Sequence, residues 1–159
     1  MFEGFANVWT PVILSRSLGA KKPLPVTLAG EKLVFFRDAE GKPRALFDQC
    51  PHRGVALSLG RVFHEWEFDG KGRVQRVPLN PDAKRERLFA RSVPVREVGG
   101  VVFAYTAAVD EAPCEPTVPE ALTTPGLART YLEVEWKAHW TRAMENMLDS
   151  PHVPFLHRR

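Results

Sequence analysis

Four of the five histidines in this 159-residue sequence fall in two short groups, and the first group also contains a cysteine. Cys50 and His52 stand two residues apart in a turn followed by Gly54, and His64 comes 12 residues after His52. Thiolate and imidazole ligands suit zinc and iron–sulfur centres. A single Cys-x-His pair is also compatible with an ordinary turn that carries an inert thiol. The residues alone therefore indicate a candidate metal loop and leave this alternative open.

The second group consists of His152 and His157, which follow Asp149. On a regular helix, two residues five apart are rotated by about 140° at about 100° per residue, so the two imidazoles converge only if the backbone departs from the helix near Pro154. Imidazole together with carboxylate is a ligand set used for non-haem Fe(II). The spacing alone does not exclude a polar terminal tail in which Asp149 is a surface acid at the end of a helix.

The sequence around the first group favours the metal-loop interpretation. Residues 48–62, DQCPHRGVALSLGRV, closely resemble the first ligand loop of the Rieske domains found in aromatic-ring and related oxygenases. Further stretches that fit the same family are residues 9–12, 25–28, 33–38 and 66–72. In such domains a 2Fe-2S cluster has two Cys on one iron and two His on the other. The resemblance therefore implies that Cys50, His52 and His64 are cluster ligands.

The second ligand loop departs from the family pattern. The family sequence is Cys-x-x-His-Gly-Trp, whereas residues 61–66 read RVFHEW, so a cysteine and about eight residues are missing. Cys114 lies in a proline-rich segment with no ligand-loop context, which argues against it as the missing thiolate. We therefore expect a compromised 2Fe-2S site, and the alternative is a β domain that never holds a cluster.

The second histidine group fits the catalytic domain of the same family. Residues 145–157, ENMLDSPHVPFLH, resemble its Asp-x2-His-x4-His motif. By this resemblance His152 and His157 are two ligands of a two-His, one-carboxylate Fe(II) site, which is incomplete because the third ligand would lie beyond Arg159. Asp149 is then the catalytic bridging acid, hydrogen-bonded between an iron-bound His and a cluster His of the neighbouring subunit in a homotrimer.

The elements that must position these residues are mostly short β-type runs with turn residues between them. We predict strands at residues 33–36, 45–47, 66–68, 74–77, 90–95 and 101–105. Residues 38–41, 69–72 and 99–100 offer Asp and Gly for tight turns. The fold class predicted is mainly β, a Rieske-like antiparallel β-sandwich followed by the truncated start of an α+β catalytic domain.

Four prolines between residues 113 and 126 mark a connector between two domains. We therefore expect a Rieske-like domain at 1–112, a connector at 113–126 and the start of the mononuclear-iron domain at 127–159. Within the last region the pattern predicts a strand at 130–136 and an amphipathic helix at 138–148. Ser150 and Pro151 would begin a further helix.

Composition excludes several other classes of protein. The net charge of +3 is scattered, with no basic block beside aromatic residues, so nucleic acid is not an expected partner. The longest apolar runs are too short for a signal peptide or a membrane span, and only two cysteines are present. This favours a reducing compartment, and we predict a cytoplasmic protein.

The function predicted is that of an oxidoreductase fragment. In complete form it would receive electrons from a reductase or ferredoxin and activate O2 for hydroxylation or demethylation of an organic substrate. The chain by itself is expected to be inactive, because one cluster Cys and the third iron ligand are missing. The alternatives are a Rieske-like electron carrier and a non-redox β domain that is zinc-binding or metal-free.

Overall fold

The computed structural model describes residues 2, 4–51, 53–60, 67–77, 82, 84 and 88–149, and the chain forms two compact units, Met1–Arg129 and Thr130–Arg159. The strands of the first unit are β1 Trp9–Leu14, β2 Leu24–Leu28, β3 Glu31–Arg37, β4 Pro43–Phe47, β5 Glu67–Phe68, β6 Val74–Arg76, β7 Ser92–Val93, β8 Val95–Val98 and β9 Val101–Tyr105. Short 3₁₀ turns lie at Ser15–Ser17, Leu57–Leu59 and Glu120–Leu122, and the second unit contains helix α1, Trp140–Leu148. This arrangement confirms the prediction of a mainly β chain with antiparallel pairing.

The strands form two antiparallel sheets and a separate hairpin. Sheet I has the order β1-β9-β8, and sheet II has the order β2-β3-β4-β7. The hairpin consists of β5 and β6. Side chains from both sheets share the main core, whose buried members include Ile13, Leu33, Phe35, Phe47, Val93, Val102 and Ala104.

Strand β3 is apolar on both faces, which explains its uninterrupted run of hydrophobic residues. Because successive side chains of a strand point to opposite faces, Leu33 and Phe35 enter the main core while Val34 faces the other side of sheet II. On that side Val34, Leu46 and Ala90 form a second, smaller core. We call this the second core.

The predicted turns are present and use the same side-chain chemistry twice. Oδ1 of Asp38 accepts hydrogen bonds from the amides of residues 40 and 42, and Oδ1 of Asp69 accepts from those of residues 71 and 73. Gly41 and Gly72 both have φ of +77°, a conformation that glycine adopts at little cost. An aspartate that accepts from the following backbone is a known way to fix a turn.

The predicted strand at 90–95 is two strands that belong to different sheets. β7 pairs with β4 in sheet II, whereas β8 pairs with β9 in sheet I, and Pro94 lies between them. Proline has no amide hydrogen to give to a ladder, so a strand is interrupted there. The carbonyl of Pro94 nevertheless accepts a hydrogen bond of 2.9 Å from the Tyr105 amide.

The predicted strand at 130–136 is wrong. These residues take part in no strand ladder among the described residues, and their side chains are largely exposed, Leu132 by 88%. An alternating sequence forms a strand only where a neighbouring strand can satisfy its backbone groups. The predicted helix is confirmed as α1, and His139 is its N-cap, with Nδ1 accepting from the Thr141 amide. Trp66 and Ser150, where a strand and a second helix were expected to begin, lie outside the described residues.

Candidate metal centre

The candidate ligand loop begins where β4 ends, at Phe47. The Asp48 amide donates to the carbonyl of Lys32 at 2.9 Å, and the Gln49 amide donates to the carbonyl of Phe47 at 2.7 Å. These bonds fix the chain as it leaves the sheet. Cys50, the first predicted ligand, comes only three residues after the end of β4. The last three residues of that strand, 45–47, are buried.

The loop is closed by its own backbone. The Cys50 amide donates to the carbonyl of Val55 at 2.8 Å, and the Gly54 amide donates to the carbonyl of Cys50 at 2.8 Å. Gly54 has a φ of +71°, while a Cβ built on it would be 3.4 Å from its nearest neighbour, an ordinary contact. Glycine is required here by backbone conformation and not by lack of space.

A carboxylate joins the two ends of the loop. Oδ1 of Asp48 accepts a hydrogen bond of 2.7 Å from the Ser58 amide, and Oδ2 accepts one of 2.6 Å from the Ser58 hydroxyl. Hydrogen bonds to an ionised group are shorter and stronger than those between neutral groups. We call this pair the Asp48–Ser58 clamp. It was missed by the sequence reasoning, although an aspartate at the end of a strand is a recognisable turn signal.

The first loop and the strand that follows the second loop meet the same face of sheet II. Leu57, within the 3₁₀ turn after the first loop, packs against the second core. Phe68 of β5 packs against the same core. In the turn between β5 and β6, a Cβ on Gly72 would be 1.8 Å from the carbonyl oxygen of Ala90. The backbone of this turn therefore lies directly against Ala90, which belongs to the second core. The flanks of both candidate ligand loops are thus brought to one side of the domain.

Only two of the six predicted site residues lie within the described residues. Cys50 is half-buried with a free thiol. Asp149 is exposed and ends α1, where its amide donates to the carbonyl of Glu145 at 3.0 Å. The predicted ligands that lie outside the described residues are His52, His64, His152 and His157.

The second cysteine is held against sheet I. The Cys114 carbonyl accepts a hydrogen bond of 2.7 Å from Nε1 of Trp9 on β1. Its neighbour Glu115 forms an ion pair with Arg96 on β8, in which both carboxylate oxygens accept from the guanidinium. Cys50, in contrast, follows a strand of sheet II. The backbone of Cys114 is thus anchored at a different sheet from the strand that precedes the Cys50 loop.

Of the predicted ligands of a Rieske 2Fe-2S cluster, only Cys50 lies among the described residues. Such a cluster takes two thiolates and two imidazoles. The sequence contains two cysteines, of which one is anchored at sheet I. Within the part of the chain that the structure describes, no group of three or more His, Cys, Asp or Glu side chains could hold a metal ion.

Sequence comparison identifies the family to which this fold belongs. The family model for the Rieske 2Fe-2S domain matches residues 8–96, from the start of β1 into β8. The chain belongs to the Rieske domain family. This confirms the resemblance seen in the first ligand loop, and the family implies a 2Fe-2S cluster.

Several relatives of this Rieske chain are oxygenases. It is 33% identical to a chloroplastic chlorophyllide a oxygenase of Chlamydomonas reinhardtii, over 98% of this chain and 25% of that protein. It is also 33% identical to the oxygenase subunit of 3-chlorobenzoate-3,4-dioxygenase from Comamonas testosteroni, over 94% of this chain and 37% of that protein. These relatives imply a non-haem iron in addition to the cluster.

A solved structure of dicamba monooxygenase bound to dicamba superposes with a TM-score of 0.83 at 27% identity. The match covers 97% of this chain and 48% of that one. The Rieske chain thus spans about a quarter to a half of the length of the relatives it matches. Among its described residues, no helix is long and apolar enough to cross a membrane.

Proposed function

We propose that this chain corresponds to the electron-receiving part of a Rieske non-haem iron oxygenase subunit. The complete protein would take single electrons at a 2Fe-2S domain and use them at a mononuclear Fe(II) site for O2-dependent hydroxylation or demethylation of an organic substrate. The observation that carries the proposal is the Cys50 loop, which leaves sheet II in a conformation fixed by its own hydrogen bonds.

The oxygenase assignment is favoured over a separate electron carrier. The matches to the chlorophyllide a oxygenase and to dicamba monooxygenase continue through at least 97% of this chain, so they include residues of the second unit as well as the Rieske domain. A pure carrier has no use for a second iron site.

The departure at the second ligand loop has independent support. The alignment with the chlorophyllide a oxygenase runs over 165 positions, more than the 159 residues of this chain. That relative therefore has residues within the aligned region that this chain lacks. We assign the difference to the segment between Val62 and His64, where the family pattern requires a cysteine. The cluster ligands that remain in this proposal are Cys50, His52 and His64.

For the mononuclear site we propose His152 and His157 as Fe(II) ligands and Asp149 as the bridging acid. Asp149 is the C-cap of α1 and stands three residues before His152 in the sequence, which is compatible with this role. We assign the carboxylate ligand that completes such a site to none of these residues. The proposed domain bounds are 1–112 and 127–159, with the connector at 113–126 between them.

The proposed partners are a reductase or ferredoxin as electron donor and two further copies of the complete subunit in a homotrimer. We propose a cytoplasmic location. One relative, the chlorophyllide a oxygenase, is a chloroplastic protein, so location varies within the family.

The proposal is tested by restoring the missing segment. In the repaired chain, about eight residues are inserted between Val62 and His64, ending in Cys-Pro-Tyr directly before His64, with Glu65→Gly. After anaerobic reconstitution with iron and sulfide it should be red-brown and take up one electron reversibly. The matched control has the same insertion with Ser in place of the new Cys and should stay colourless. A colourless repaired chain would show that the Cys50 loop is not part of a Rieske site.

A further inference from the structure

We infer that the chain carries a preformed half-site: its first ligand loop is held in shape by protein contacts alone, while its own residues cannot complete a two-iron cluster. The assignment of this loop as a cluster-ligand loop rests on the proposed function. It concerns the chain as it stands, however, and is tested separately from the repaired chain.

Among the described residues, the hydrogen bonds that shape the loop come from backbone groups and from Asp48 and Ser58, and not from the thiol of Cys50. Two backbone hydrogen bonds close it, between Cys50 and Val55 and between Gly54 and Cys50. The Asp48–Ser58 clamp then ties the residue before the loop to the 3₁₀ turn after it. Because Leu57 in that turn packs on the second core, the far end of the loop is also fixed to the sheet. Asp48 is a positioning residue in this arrangement.

Cys114 is the other cysteine of the sequence, and its segment is tied to sheet I. For Cys114 to reach the loop, its segment would have to give up the Trp9 indole bond and the Arg96–Glu115 ion pair at sheet I. A cluster with a single cysteine leaves one iron with one thiolate, and Rieske clusters require two. We therefore expect the first ligand loop to keep its conformation when no cluster is bound.

The loop is tested by amide hydrogen exchange on the full chain after treatment with a metal chelator. The Ser58 amide should be protected, and Asp48→Ala should speed its exchange by about tenfold or more, as expected when a hydrogen bond to a charged group is lost. Ser58→Ala keeps the amide and removes only the hydroxyl bond, so its effect should be smaller. An unprotected Ser58 amide beside protected β3 amides, or loss of the whole fold on metal removal, would overturn the inference.

Asp69→Ala is the matched control. Asp69 accepts from the amides of Lys71 and Arg73 in the β5–β6 turn, just as Asp48 accepts from Ser58. This variant should speed exchange at residues 71 and 73 and leave Ser58 unchanged. Equal exchange of Ser58 in the parent and in Asp48→Ala would show that the clamp does not hold the loop.

The second part is tested by reconstituting the unrepaired chain with iron and sulfide. The expected result is a colourless protein with fewer than two irons per chain, the same in the parent and in Cys114→Ser. Two irons and matching sulfide per chain, whichever way Cys114→Ser behaves, would overturn the inference while leaving the family function intact. A colourless repaired chain would instead contradict the proposed function.

Discussion

Nη1 of Arg37 on β3 lies 2.9 Å from Oε2 of Glu97 on β8, so a charged pair joins sheet II to sheet I. The other nitrogens of the guanidinium donate to the carbonyl of Leu18 and to the carbonyl and hydroxyl of Ser15. Nη1 also donates to the carbonyl of Gly41. One side chain thus connects the end of β1, the β3–β4 turn and β8.

Replacing Arg37 should lower the free energy of unfolding. The side chain is only 17% exposed, so Arg37→Ala leaves several partly buried acceptors without a donor, and we expect a loss of about 2 kcal/mol. Arg37→Lys should recover less than half of this, because an ammonium cannot serve acceptors in several directions as the planar guanidinium does. Urea denaturation measures both effects.

The control for this variant is Lys42→Ala. Lys42 and Glu40 form an ion pair of 2.7 Å in which both side chains are mostly exposed, and such pairs contribute little. Its urea midpoint should match that of the parent. A loss as large as that of Arg37→Ala would mean that the turn itself, and not the link between the sheets, is responsible.

Stability should fall in acid through the same pair. Burial alone raises the pKa of Glu97, but hydrogen bonds from Arg37 and Ser15 outweigh it and hold the pKa below its ordinary value of 4.5. A depressed pKa gives stability that is complete above 4.5 and is lost as the pH falls through the lower folded value. Glu97→Gln should remove this part of the pH dependence, as measured by urea denaturation across the acid range. If the free energy of unfolding fell equally steeply with pH in the parent and in the variant below pH 4.5, this assignment would be contradicted.

Gly72 should tolerate no side chain. Its φ is +77°, and a Cβ would be 1.8 Å from the Ala90 carbonyl oxygen and 3.1 Å from a methyl of Leu46. Gly72→Ala should therefore lower the free energy of unfolding by about 3 kcal/mol, from backbone strain and steric overlap together. Gly30 is the control, because its φ is +80° and no atom lies within 4 Å of the added Cβ. Gly30→Ala should cost about 1 kcal/mol, the strain alone. Equal losses of unfolding free energy in the two variants would show that the Ala90 carbonyl moves to make room for the added Cβ.

The sequence predicted those parts of the fold in which local chemistry and tertiary contacts agree. The run at 33–36 became the centre of β3 because both of its faces are buried, and the Asp-Gly turns formed because their hydrogen bonds are local. The passage of the chain from sheet II to sheet I at Pro94 was not predicted, because the periodicity of a sequence does not indicate which strand it will pair with. Residues 130–136 have the pattern of a strand but join no strand ladder among the described residues.

For the candidate site, the family resemblance identified ligand types but not what holds the loop. Cys50 was predicted from its motif, whereas the Asp48–Ser58 clamp joins residues ten apart and became visible only in the folded chain. The location of Cys114 against sheet I depends on Trp9, which is 105 residues away in sequence. No local pattern reports such a contact.

The ligand assignment can be tested residue by residue in the repaired chain. Cys50→Ser removes a thiolate and His52→Ala an imidazole, so each should abolish the red-brown colour, because a Rieske cluster needs two of each. Cys114→Ser should leave both colour and iron content unchanged, since its carbonyl, and not its thiol, makes the contact with Trp9. The reduction potential of the repaired chain should also rise as the pH falls, because imidazoles take up protons more readily when the cluster is reduced. Absorption spectra, iron analysis and a redox titration at several pH values measure these outcomes. Loss of the cluster in Cys114→Ser, or its survival in Cys50→Ser, would show that the thiolates come from a different pair of loops than the one proposed.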